Sequence, residues 1–68
     1  GSNPMASVQL RVMKMLAERQ RVSMQDLSTA FFGDASSKQL AEIIGTLQTM
    51  GYCQMHVHEQ IIVFTPRK

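Results

Sequence analysis

Ser36-Ser37-Lys38-Gln39-Leu40-Ala41-Glu42-Ile43-Ile44-Gly45-Thr46-Leu47-Gln48-Thr49-Met50-Gly51 holds a helix start, an apolar stripe and a helix stop in one segment. Ser36 with Gln39 three residues on fits a capping box, each side chain taking the other residue's backbone N–H. Leu40, Ile43, Ile44, Leu47 and Met50 recur at the spacing of one helical face. Gly51 suits the left-handed position that ends a helix, having no Cβ to clash there. The segment predicts a helix with a buried face, and the flanking chain must supply what covers it.

Two further helices are predicted upstream. From Ser7, read as a cap, Val8, Val12, Met15 and Leu16 share a face that Leu10, Met13 and Ala17 widen, and the polar stretch Glu18 to Arg21 ends it. Ser23 reads as the next N-cap, with Asp26 in the first turn and Val22 and Leu27 spaced for a hydrophobic staple. Leu27, Ala30 and Phe31 form the inner face until Gly33 and Asp34 break the helix. Gly33 to Ala35 is then a short turn between two amphipathic helices, the helix-turn-helix pattern.

Downstream, Cys53, Met55 and Val57 alternate with Gln54, His56 and His58, as in a half-buried strand. A second strand runs from Gln60 to Thr65, closed by Pro66. The tip at His58-Glu59 lacks the Asn-Gly or glycine of the favoured two-residue turns. An even loop sets Met55 against Ile62 and Cys53 against Phe64, leaving Ile61 and Val63 outside beside His56; an odd loop reverses the two sets. The expected fold is α+β, a winged helix-turn-helix of three helices followed by a two-stranded antiparallel wing. Its expected core is Val12, Leu16, Leu27, Phe31, Leu40, Ile44, Leu47, Met55 and Ile62.

Sixty-eight residues make one small domain. Residues 1–4 read as a cleavage scar with linker and 5–68 as the winged-helix domain, with Met5 either a native start or a junction. A hydrophobic fraction of 44% without any apolar run near ~18 residues describes a soluble chain with no membrane partner. One cysteine excludes an internal disulfide and fits a reducing compartment. The expected location is intracellular, nuclear if the source is eukaryotic and cytoplasmic if bacterial. Net charge is +2 and the pI about 9.1, but the basic residues are dispersed, with Arg11, Lys14, Arg19 and Arg21 on the first helix and its exit.

Across nearly all of Ser7 to Phe64 the chain resembles winged-helix modules. Ser23-Met24-Gln25-Asp26-Leu27, the helix start Ala35-Ser36-Ser37-Lys38-Gln39 and the closing Leu47-Gln48-Thr49-Met50-Gly51-Tyr52 look most like the C-terminal domain of the replication protein A middle subunit. That resemblance implies docking of peptides from repair and replication proteins. Gly51-Tyr52 before a short apolar strand is also similar to the C-terminal winged helices of minichromosome-maintenance helicases. Met5-Ala6-Ser7 and the Met50-Gly51 corner resemble the ferrous-iron transport accessory protein FeoC, whose cysteine-rich wing this chain lacks.

Little here supports catalysis, a cofactor or a metal. Cys53 opens an apolar strand face, where a buried thiol is the ordinary outcome. His56 and His58 share a strand face, but two imidazoles leave a tetrahedral zinc site short of ligands, even with Glu59 nearby. The expected role is therefore a non-catalytic, monomeric interaction domain of a replication, repair or transcription-associated protein. A partner protein would meet His56, Ile61 and Val63 on the outer wing, with Gly45 and Thr49 on the third helix. Gly45 stands out because glycine inside a helix costs about 1 kcal/mol relative to alanine. The alternative is duplex DNA, met by Ser36, Ser37, Lys38, Gln39, Glu42, Arg67 and Lys68. So few cations would make that contact weak and salt-sensitive.

Overall fold

The computed structural model describes residues 4–65. Their order is α1 (Pro4–Arg19), β1 (Arg21–Ser23), α2 (Met24–Ala30), α3 (Ser37–Thr49), β2 (Cys53–His56) and β3 (Ile61–Phe64). The protein is α+β, with three helices and a three-stranded antiparallel sheet ordered β1-β3-β2. A two-stranded wing was expected, so β1 is a correction. Arg21, Val22 and Ser23 pair with Val63, Ile62 and Ile61, which makes β3 the central strand. Three residues are too few for an alternation to register, and Ser23 doubles as strand end and helix cap.

Helix α1 also starts earlier than its expected cap. Ser7 is an exposed residue inside the helix, and Pro4, assigned above to the linker, opens it, where a fixed φ suits the first turn. At the other end Gln20 takes the left-handed conformation, with φ 70°. Its N–H donates to Leu16 O at 2.7 Å and its side-chain amide to Ala17 O at 2.7 Å, satisfying two of the last carbonyls.

The expected capping box at α3 is present, and the Ser23 cap of α2 closes into a second one with Asp26. At α2, Ser23 Oγ accepts from Asp26 N–H at 3.0 Å; at α3, Ser36 Oγ accepts from Gln39 N–H at 3.2 Å while Gln39 Oε1 accepts from Ser36 N–H at 2.8 Å. Helix α2 is shorter than expected, ending at Ala30, so the connection runs from Phe31 to Ser36 rather than Gly33 to Ala35. Ala30 is exposed and Phe31 alone continues the buried face. Gly51, at φ 78°, ends α3: its N–H donates to Gln48 O and Tyr52 N–H to Leu47 O, both at 2.9 Å, the double bond of a Schellman motif.

The buried core is Val8, Val12 and Leu16 of α1, Val22, Leu27, Phe31, then Leu40, Ile43, Ile44 and Leu47 of α3, with Cys53 and Ile62. Met55, expected inside, is only partly buried. Leu10 and Met50, expected on apolar faces, are largely exposed; Met50 is the cap residue beyond the last turn of α3. Tyr52 ties the hairpin base to α1: its hydroxyl donates to Met13 O at 2.9 Å, and its ring meets Phe64 edge-on at 5.1 Å.

The hairpin loop is even. Cys53 pairs with Phe64, Met55 with Ile62 and His56 with Ile61, so residues 57–60 form a four-residue loop. Glu59 N–H donates to His56 O at 3.2 Å, and Gln60, at φ 56°, takes the left-handed turn that a glycine would otherwise supply. Val57 leaves the strand and is exposed rather than continuing the face of Cys53 and Met55.

Candidate functional site

Because partners across a sheet share a face, the register sorts the strands into two sets. Val22, Ile62, Met55, Cys53 and Phe64 face the helices. Arg21, Val63 and Gln54 form one row of the opposite face, and Ser23, Ile61 and His56 the next. Ile61 and Val63 are half-buried, yet neither belongs to the core nor packs against it.

Three of the five expected protein-docking residues, His56, Ile61 and Val63, thus lie together on the outer sheet face. Gly45 and Thr49 are exposed one turn apart on α3, joined by the bond from Thr49 Oγ1 to Gly45 O at 3.0 Å. Gln48 stands between the two groups, accepting from Met55 N–H of the β2 edge at 3.1 Å. A Cβ placed on Gly45 would meet no atom within 4 Å, so packing inside the chain does not require glycine there.

The residues of the DNA alternative divide differently. Ser36, Ser37, Lys38, Gln39 and Glu42 are all exposed on the first turns of α3, whereas Arg67 and Lys68 lie outside the described residues. Ser36 and Gln39 spend their side chains on the capping box, so the Gln39 amide oxygen is committed to backbone. Arg11 is occupied as well, 3.5 Å from Asp34 and stacked over Phe31 at 5.0 Å.

Burial raises the pKa of Cys53, which keeps the thiol protonated and unreactive. His56 and His58 are exposed, and among the described residues no group of three or more His, Cys, Asp or Glu is arranged to hold a metal ion. No helix among them is long and apolar enough to cross a membrane.

Phe32 was missed. It is 89% exposed at the rim of an open cleft with Ser28, Asp34 and Ser36, where α2 turns into α3. Phe31 continues the buried face of α2 past its last residue, Ala30, whereas Phe32 lies beyond the helix, where no apolar periodicity marks which way it turns. Compared with known proteins, the chain matches no family model, no curated protein and no solved structure.

Proposed function

We propose that the chain is a non-catalytic winged-helix interaction domain that docks a segment of a partner protein on the outer face of its sheet. The order helix, strand, helix, helix, strand, strand supports the winged-helix reading. The observation that carries the docking reading is the pair Ile61 and Val63, apolar residues on a central strand that turn away from the core and are flanked by Arg21, Ser23, Gln54 and His56. A face of this kind gives a partner apolar area at its centre and polar groups at its margin, the layout of a protein interface. A DNA-reading α3 has less support, because its Gln39 amide is engaged and Lys38 is the only cation of that helix.

The test compares Ile61→Asp with Lys38→Glu, each first shown to be folded, against partner peptides and duplex DNA. Docking at the sheet predicts that Ile61→Asp abolishes peptide binding while Lys38→Glu leaves it intact. Loss of submicromolar DNA binding in Lys38→Glu, with no effect of Ile61→Asp on any ligand, sinks the proposal in favour of DNA contact through α3.

A further inference from the structure

The outer sheet face carries a cation and no acid. Arg21 is its one formally charged group, exposed and in no ion pair among the described residues. Acidic side chains lie elsewhere: Glu18 on α1, Asp26 in the cap of α2, Asp34 beside Arg11, Glu42 on α3 and Glu59 in the hairpin loop. Resting on the docking reading above, we propose that the segment received by this face is an acidic amphipathic helix of a partner protein.

Geometry favours a helix laid along the face. Neighbouring strands lie ~4.8 Å apart, so three give a face about 10 Å across, the width of one helix. Ile61 and Val63, two positions apart on β3, are separated by ~6.7 Å, close to the ~6 Å advance between residues i and i+4 of a helix. An apolar i, i+4 pair therefore rests on Ile61 and Val63, and an acidic residue on the β1 side of it meets Arg21. Addition of an extended peptide to a sheet edge is opposed on both sides. Gln48 already accepts from Met55 N–H on β2, and the Asp26 carboxylate faces Ser23 N–H on β1.

Charge separates this occupant from the other two. A second copy of the chain packed face to face through this same surface would bring another Arg21 and no acid to meet it. Nucleic acid gains about one released counterion from each cation it meets, and Ile61 and Val63 offer a phosphate nothing. An acidic helix uses both the cation and the apolar pair.

The test selects peptides of about 16 residues, ~24 Å of helix, from a displayed library against the whole chain. Expected are sequences with Asp or Glu beside an apolar i, i+4 pair. Arg21→Glu should weaken them about three- to tenfold, since reversal turns an exposed attraction into a repulsion, and Lys-for-Glu versions of the peptides should recover that loss. Ile61→Asp should abolish binding, and Ile61→Thr, which keeps the β-branched shape, carries the same comparison if the aspartate unfolds the sheet. Selected peptides that are basic, or indifferent to Arg21→Glu while still sensitive to Ile61, overturn the acidic partner and leave the docking face standing. Peptides that bind both Ile61 variants as tightly as the parent chain overturn the docking face itself.

Discussion

Two glycines, one inside α3 and one just past its end, show how a single residue type can mean opposite things. Gly51 sits at φ 78° with both hydrogen bonds of the helix stop depending on it, so Gly51→Ala forces a left-handed alanine and should cost about 1–2 kcal/mol. Gly45 lies inside α3 with open space where a Cβ would go, so Gly45→Ala should stabilise the fold by about 1 kcal/mol. Thermal melts of the two variants should move in opposite directions. A Gly45→Ala chain that melts lower would contradict a helical Gly45 with open space beside it. Cys53 adds a pH dependence. The folded state holds the thiol proton more tightly than the unfolded chain does, so thiol ionisation makes no difference to stability while pH is below the ordinary thiol value, about 8.5. Above it the unfolded state gains by ionising, and stability falls as pH rises towards the folded value. A pH series of melts should show this decline, and Cys53→Ala, though less stable throughout, should lose the part of it that belongs to the thiol.

At the scale of elements, the helices were legible where a cap and a periodic stripe coincided. Ser36, Gln39, Leu40, Ile43, Ile44, Leu47 and Gly51 each specify α3 independently, and all behave as the sequence implies. Ser36→Ala removes the hydroxyl that satisfies Gln39 N–H and should cost about 1 kcal/mol in a denaturant titration. The strand β1 was illegible because its partner, β3, lies some forty residues away and its own pattern is one buried Val22 between two polar residues. Hairpin register could only be left as two alternatives, since a loop without glycine does not declare its length; Gln60 resolves it by adopting a left-handed conformation unaided by glycine. Tyr52 illustrates the same limit, for nothing local says that its hydroxyl reaches Met13 O on α1. Tyr52→Phe should destabilise by about 0.5–1.5 kcal/mol, and an unchanged unfolding midpoint would show that this bond contributes nothing.

For the molecule as a whole, the apolar and polar residues of the sheet divide its work. The inner face closes the core over α3, and the outer face presents Ile61 and Val63, half-buried and outside the core. Among the described residues the basic side chains are spread over α1, β1 and α3, with Lys38 the one cation of α3. The candidate site was partly legible: the three sheet residues converge under the even register, whereas Gly45 and Thr49 belong to a separate face of α3. The decisive measurement is a titration of the chain with random duplex DNA at low and moderate salt, following every backbone amide. Docking at the sheet predicts small shifts without saturation, centred on Lys14, Arg19 and Arg21 and erased by moderate salt. Saturable submicromolar binding that shifts Ser37, Lys38, Gln39 and Glu42 and survives moderate salt would contradict it.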